Sequence, residues 1–159
     1  MIRKLVLVRH GDAENRRLGE SDAERRLTKR GVAALKEAYP ATFASLANDL
    51  DDLQIWSSEA VRARQTAEVV CDSLGIPHDA IEPHMSLYAQ DWDFFYGELE
   101  AAEGVVVAVG HIPFMEEVAS ELARKPLSFS KGAAACFDTT SGNLAKAELL
   151  WFERGPKTW

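Results

Sequence analysis

The chain alternates short apolar runs with longer segments whose ends carry helix signals. The apolar runs have the length of buried strands; they cover residues 5–8, 53–56, 105–109, 133–138 and 146–152. The segments between the first four runs are predicted to be helices, because capping residues, prolines or glycines mark their ends; they cover residues 28–46, 59–74, 91–102 and 113–124. The remaining segment, residues 76–85, reads as irregular, with a short strand around 80–82 as the alternative.

Strands that alternate with helices and end in a hairpin predict an α/β fold. We expect a three-layer α/β/α sandwich around a mixed, mostly parallel central sheet. Pro40 is expected to interrupt the first helix after Tyr39, because proline cannot donate a backbone hydrogen bond. At 159 residues, the chain is expected to form a single domain over residues 1–159.

Composition narrows the class of protein and its partners. The net charge of −7 disfavours non-specific binding to nucleic acid or to an anionic membrane. No apolar run is long enough for a signal peptide or a membrane span, so we expect no membrane partner and a cytoplasmic protein. Cys71 and Cys136 are far apart and are expected to be free thiols in a reducing compartment.

Three of the predicted strands end on residues that can carry chemistry. The first runs into Arg9, His10 and Gly11, the second into Ser57 and Ser58, and the third, which ends at Gly110, into His111. Active sites of α/β folds lie in the crevice at the carboxyl ends of strands. An arginine fork suits a phosphate, and a glycine lets the backbone turn and leaves room for an anion. The Arg-His-Gly tripeptide alone fits a structural histidine equally well.

Arg62 is predicted to join this crevice from the second helix. If Ser57 or Ser58 caps that helix, Arg62 lies about one turn inside it, and helical side chains tilt toward the N-terminus. The alternative is an exposed Arg62 that pairs with Glu59 or Glu68.

Three further basic or imidazole side chains are expected at the surface, and one helix end is expected at the crevice. Arg64 is expected to face solvent, and His78 and His84 are expected at the surface. The helix that follows His111 is expected to turn its positive end toward the crevice.

Two histidines and two arginines at one sheet edge suit phosphoryl transfer. A neutral imidazole can attack phosphorus while guanidinium groups and a second imidazole hold the phosphoryl oxygens. No metal or other cofactor is expected, because the arginines supply positive charge and no carboxylate-rich or HxxH cluster accompanies the histidines.

The motifs taken together resemble the histidine phosphatase superfamily, whose fold is phosphoglycerate-mutase-like. They occur in the family's order and cover most of the chain: Arg9-His10-Gly11, Leu27-Thr28-x-x-Gly31, Ser57-Ser58-x-Ala60-x-Arg62-Ala63-x-Gln65-Thr66 and Gly110-His111. The small size and the Arg-His-Gly-Asp-Ala opening at residues 9–13 are similar to SixA-type phosphohistidine phosphatases.

The resemblance implies roles for individual residues. His10 would be the nucleophile that becomes phosphorylated, and Arg9, Arg62 and His111 would complete the catalytic pocket. Three further residues are expected to bind substrate: Gly11, Asn15 and Arg25.

The sequence departs from other branches of this superfamily. Mutase-like relatives carry an asparagine six positions after the nucleophile, whereas Asn15 stands five after His10 and Arg16 six after. The proton-donating glutamate of those relatives has no counterpart in residues 84–88. Acid-phosphatase relatives place a carboxylate after the second histidine, where this chain has Ile112.

The absence of a counterpart to the proton-donating glutamate affects which leaving groups, and so which substrates, the site can hydrolyse. An alkoxide leaving group needs a positioned acid, whereas an imidazole, with a pKa of about 6.5, takes its proton from water. We therefore expect hydrolysis of phosphohistidine on a phosphorylated protein, through a covalent phosphohistidine enzyme. Phosphatase activity on a small phosphorylated molecule stays open, because Asp12 or Glu82 is available as an acid. A second alternative is a non-catalytic regulator that binds phosphoproteins.

Overall fold

A single six-stranded sheet forms the centre of the part of the protein, residues 1–158, that the computed structural model describes. Its strands are β1 (Ile2–Arg9), β2 (Leu53–Ser57), β3 (Ile81–Pro83), β4 (Gly104–Gly110), β5 (Ala134–Asp138) and β6 (Glu148–Glu153). The helices are α1 (Lys29–Thr42), α2 (Val61–Leu74), α3 (Met85–Ala89), α4 (Trp92–Ala101) and α5 (Phe114–Ala123). Within residues 1–158, no helix combines the length and the apolar character that a membrane crossing requires.

The strand order is β3-β2-β4-β1-β5-β6. The first four strands of this order run parallel, β5 is antiparallel to β1, and β6 is antiparallel to β5. The predicted α/β fold on a mixed sheet is therefore confirmed.

Helices cover both faces of the sheet. Successive residues of a strand point to opposite sides of the sheet, so each strand contributes to the core on both faces. Leu5 and Leu7 of β1 pack in one core cluster with side chains of α4 and α5. Val6 and Val8 pack in a second cluster with side chains of α1 and α2. All seven residues of β4 are buried, as expected for a central parallel strand.

Three details differ from the prediction. Pro40 lies inside α1, which continues to Thr42; the residue is exposed in the last turn, so only one backbone hydrogen bond is lost there. The helix α2 begins at Val61, with Ala60 rather than a serine at its N-cap. The five-residue helix α3 was not predicted, whereas the alternative of a short strand near residues 80–82 is correct and corresponds to β3.

The register of the sheet brings three strand ends together. Arg9 of β1 is paired with Gly110 of β4, and the His10 amide donates to the Gly110 carbonyl at 3.0 Å. On the other side of β4, the Ser58 amide donates to the Val109 carbonyl at 3.0 Å. The residues that follow β1, β2 and β4 therefore share one edge of the sheet.

Candidate active site

A cleft of about 480 Å³ opens at this edge. Six of the seven residues assigned to the site from sequence line it, and they are Arg9, His10, Asn15, Arg25, Arg62 and His111. The seventh, Gly11, does not. The other lining residues are Ala13, Asp22, Tyr88, Gln90, Ile112 and Lys131.

His10 is held in one tautomer. Its Nδ1 lies 2.7 Å from the Gly11 carbonyl oxygen. Because a carbonyl only accepts, Nδ1 carries the proton and Nε2 is the unprotonated nitrogen. That Nε2 accepts a long hydrogen bond, at 3.4 Å, from Nε of Arg62. The imidazole thus presents an unprotonated nitrogen beside a guanidinium group.

Gly11 acts on the site through its backbone. Besides accepting from His10, it donates its amide to Thr66 Oγ1 at 3.1 Å. A Cβ at this position would lie 2.8 Å from Cδ1 of Leu35 in α1, so a larger residue would have to displace that side chain. Gly11 is buried and orients His10, and the expected role in substrate binding finds no support in its position.

His111 is held in a tautomer that complements His10. Its Nδ1 lies 3.4 Å from a terminal nitrogen of Arg62, which only donates, so Nδ1 is the acceptor and Nε2 carries the proton. The Nε2–H group donates to Ser58 Oγ at 2.7 Å. Ser58 Oγ also accepts from the Ala60 amide, so this serine orients His111 instead of capping α2. The rings of His10 and His111 are 5.2 Å apart.

Arg62 is buried and paired within the site. Only 7% of its side chain is exposed. Its terminal nitrogens donate to the Asp22 carbonyl at 2.7 Å and to Asp22 Oδ2 at 3.0 Å. The alternative of an exposed Arg62 is therefore wrong. Arg64, which is exposed as predicted, instead lies 4.0 Å from Glu68.

Arg9 brings a second guanidinium group to the cleft. It donates to the Phe129 carbonyl at 2.8 Å, while its buried Nε has no hydrogen-bond partner among residues 1–158. An anion in the cleft would give this donor a partner. Arg25 lies at the rim, where it donates to the Glu14 carbonyl and to Asp22 Oδ1.

The first backbone amide of α5 already has a partner within the protein. The amide of Phe114, the first residue of the helix, donates to Oε1 of Gln90 at 3.0 Å. Gln90 itself lines the cleft, and the helix follows directly on His111 and Ile112, which line it too.

Of the histidines outside the site, one is placed as predicted. His78 is exposed and pairs with Asp72 at 2.7 Å. His84, expected at the surface, is largely buried instead, because its ring stacks on Trp56 at 4.0 Å and its Nδ1 bonds Glu98. The stacking on Trp56 and the bond to Glu98 together hold His84, which immediately precedes α3.

Several cleft residues were missed by the sequence reasoning. Asp22 lies three positions before Arg25, a spacing that brings side chains together in one helical turn, and the structure forms such a 3-10 turn at Asp22–Glu24. That spacing was the available signal. Tyr88 had none, because the five residues of α3 are too few to show a periodic pattern.

Burial and positive charge keep both imidazoles neutral. For His10, desolvation outweighs the Gly11 carbonyl and, with the charge of Arg62, lowers the pKa to about 4. For His111, desolvation together with the neighbouring His10 and Arg62 lowers the pKa to about 3. A neutral imidazole is the form that can act as a nucleophile.

These pKa shifts predict the response of the site to pH. From about pH 5.5 to 8, the imidazole resonances of His10 and His111 are expected to stay at their neutral positions, because each group is deprotonated well above its pKa. As the pH falls through about 4, His10 gains a proton and loses its nucleophilic lone pair. An NMR titration with labelled histidine measures this, with His10→Ala and His111→Ala to assign the signals. A midpoint near the ordinary value of 6.5 for either residue would contradict the prediction.

Comparison with known families agrees with this geometry. A profile of the histidine phosphatase superfamily (branch 1) matches residues 5–94, more than half of the chain. The chain belongs to this superfamily. Membership supports a hydrolase of the phosphatase type. No curated protein matches the sequence significantly.

Solved structures similar to this histidine phosphatase include SixA proteins. The protein histidine phosphatase SixA complexed with tungstate is 25% identical with a TM-score of 0.77, over 95% of this chain and 96% of that one. The putative phosphohistidine phosphatase SixA from Agrobacterium tumefaciens is 27% identical with a TM-score of 0.71, over 95% and 97% of the two chains. Its counterpart from Nakamurella multipartitia is 29% identical with a TM-score of 0.71, over 96% of each chain.

Proposed function

We propose that this protein hydrolyses phosphohistidine on a phosphorylated protein, through a covalent intermediate on His10. The observation that carries the proposal is a cleft that combines a neutral nucleophile and two guanidinium groups with, among residues 1–158, no carboxylic acid in its lining that is free to protonate an alkoxide. The similarity to SixA structures supports the same substrate class.

The reaction has two balanced steps. His10 Nε2 attacks phosphorus, the new N–P bond forms, and the P–N bond to the substrate imidazole breaks with its electron pair going to that imidazole, which takes a proton from water and leaves neutral. Water then attacks phosphorus and gives up a proton to solvent, the bond to His10 breaks with its electron pair returning to Nε2, and inorganic phosphate leaves. Arg9 and Arg62 stabilise the charge on the phosphoryl oxygens in both steps.

His111 adds a donor once the phosphoryl group is bound. The anion raises the pKa of an adjacent imidazole, because opposite charge favours the protonated form. Nδ1 can then take a proton and donate it to a phosphoryl oxygen in place of its bond from Arg62, while Ser58 still accepts from Nε2 and keeps the ring in place.

The leaving group distinguishes the candidate substrates. Among residues 1–158, Asp22 is the only carboxylate that lines the cleft. Partial burial acts to raise the pKa of Asp22, but hydrogen bonds from Arg62, Arg25 and Tyr88 outweigh it and hold the pKa well below the ordinary value. Asp22 is therefore ionised at neutral pH and cannot donate a proton.

The two carboxylates considered as acids lie outside the cleft lining. Asp12 is bonded to Lys131 and Thr28, and the hydrogen bond from Lys131 lowers its pKa. Glu82 is exposed on β3, the edge strand of the sheet. Neither position supports the alternative of a metabolite phosphatase with a dedicated acid.

The mouth of the cleft also fits a group displayed on a protein. Its rim is made of exposed side chains on four separate segments, Asn15, Tyr88, Ile112 and Lys131. A site that encloses a small metabolite excludes water more completely.

A cytoplasmic location, predicted from the sequence, agrees with the two free, buried cysteines.

The proposal predicts a steep dependence on the leaving group. Without a general acid, an aryl phosphate with an acidic phenol should be hydrolysed at least about a hundredfold faster than an alkyl phosphate, because protonation by a positioned acid contributes roughly 10² to 10⁴ in rate. Phosphohistidine on a protein should be hydrolysed readily. Steady-state kinetics across a series of alcohols of graded pKa, with a phosphohistidine protein run beside it, measures the slope.

Two outcomes would contradict the proposal. A flat dependence with good activity on a sugar phosphate would favour the metabolite phosphatase. Stoichiometric binding of the phosphoprotein without turnover or phosphoenzyme would favour the non-catalytic regulator.

A further inference from the structure

Asp22, the carboxylate in the described lining of the cleft, accepts several hydrogen bonds. Its Oδ2 accepts from Arg62 and from the Tyr88 hydroxyl at 3.0 Å each, and its Oδ1 accepts from Arg25 at 3.0 Å. Its main-chain carbonyl accepts a second bond from Arg62 at 2.7 Å. One residue of the long β1–α1 connection thus binds α2, α3 and its own loop.

These bonds fix Arg62 without using up its donors. A guanidinium group has five N–H groups, and the two bonds to Asp22 leave three. The other edge of the guanidinium group faces the two imidazoles, where Nε donates to His10 Nε2 and a terminal nitrogen donates to His111 Nδ1, each over a long distance of 3.4 Å. Asp22 therefore sets which edge of Arg62 meets a bound phosphoryl group.

The same carboxylate tunes the charge of the cleft. The cleft lining contains Arg9, Arg25, Arg62 and Lys131, and Asp22 supplies the opposing negative charge. A negative charge beside a phosphate site weakens the binding of an anion while it holds the arginine in place. The Asp22 side chain thus has two opposing effects: it orients Arg62 toward a bound phosphoryl group, and its negative charge weakens the binding of that anion.

We propose that Asp22 is a positioning residue that orients Arg62 for phosphoryl transfer and limits the affinity of the cleft for free phosphate. The inference rests on the proposed function, since it assumes that Arg62 contacts the phosphoryl group. Weak retention of phosphate favours product release after the second step.

The experiment compares Asp22→Asn with Glu24→Gln. Both substitutions remove one negative charge from the same 3-10 turn, but Glu24 is exposed and, within residues 1–158, its carboxylate bonds only Ser21. Three quantities are measured for each variant: kcat and KM on an activated aryl phosphate, the Kd of inorganic phosphate by calorimetry, and the melting temperature. An aryl phosphate is used so that the result can be read even if phosphohistidine proves not to be the natural substrate.

For Asp22→Asn we expect kcat to fall roughly tenfold or more, because the charge-assisted bonds that orient Arg62 are lost. The Kd of phosphate should decrease by more than about twofold, because the opposing charge is gone. For Glu24→Gln, both quantities should stay within about twofold of the parent, since surface charges contribute little. A merely structural role would instead weaken kcat, phosphate affinity and melting temperature together.

Two results would overturn the inference. One is an Asp22→Asn variant whose kcat stays within about twofold of the parent. The other is a variant in which kcat falls while phosphate binds no more tightly than it binds to the parent. A parent that hydrolyses the aryl phosphate but not phosphohistidine would overturn the proposed substrate and leave the inference on Asp22 standing.

Discussion

Replacing His10 with alanine is expected to abolish both turnover and the phosphoenzyme. The reason is geometric, because His10 Nε2 is the unprotonated imidazole nitrogen fixed at the end of a central strand, with Nδ1 tied to the Gly11 carbonyl. Loss of a covalent nucleophile lowers kcat by roughly 10⁴-fold or more. Brief incubation of the parent with labelled substrate, followed by acid and alkali treatment, should give an acid-labile, alkali-stable adduct.

The control for this experiment is His78→Ala. His78 is an exposed histidine that pairs with Asp72 far from the cleft, so its loss should leave the label in place. Label that persists in the His10→Ala variant would contradict the assignment, and mass spectrometry of the labelled peptide would then identify the nucleophile.

The sheet was predictable because its central strands are buried on both faces. The run at residues 105–109 is continuously apolar between two glycines, and the structure extends it only to Gly104–Gly110 as β4. The run at residues 5–8 likewise became the core of β1. Once these strands are parallel neighbours, their carboxyl ends lie at one edge, which is why His10 and His111 could be brought together by topology alone.

The parts that escaped prediction depend on contacts distant in sequence. The helix α3 owes its start to the stacking of His84 on Trp56 and the bond of His84 to Glu98, neither of which leaves a local pattern. Tyr88 on that helix reaches Asp22 across 66 positions of sequence. Such a contact is specified by packing and not by propensity.

Ser58 shows that a serine before a helix can serve either of two roles, capping the helix or bonding a neighbouring side chain. A serine before a helix is a good N-cap, and the sequence favoured that role. In the structure, Ser58 Oγ accepts from His111, and α2 begins three residues later at Val61. The hydroxyl satisfies a buried imidazole N–H, which would otherwise be left without a partner in the core.

Arg62→Ala is expected to remove most of the activity while leaving the fold intact. Arg62 is 7% exposed, and the edge that does not bond Asp22 lies 3.4 Å from His10 Nε2 and from His111 Nδ1. Loss of a charged donor from a preorganised site removes about 2 to 4 kcal/mol of transition-state stabilisation. Measurement of kcat/KM on phosphohistidine protein and on an aryl phosphate gives this free energy, and the melting temperature reports on the fold.

The matched control for Arg62→Ala is Arg64→Ala in the same helix. Arg64 is two positions further along α2, 47% exposed, and 4.0 Å from Glu68, so its loss should change kcat/KM by less than about twofold. Arg62→Lys tests the guanidinium itself, because an ammonium group keeps the charge but cannot bond Asp22 and a phosphoryl oxygen with the same planar fork. We expect Arg62→Lys to recover only a small part of the lost activity. Activity of Arg62→Ala within about threefold of the parent would mean that Arg62 holds Asp22 and the loop without acting on the phosphoryl group.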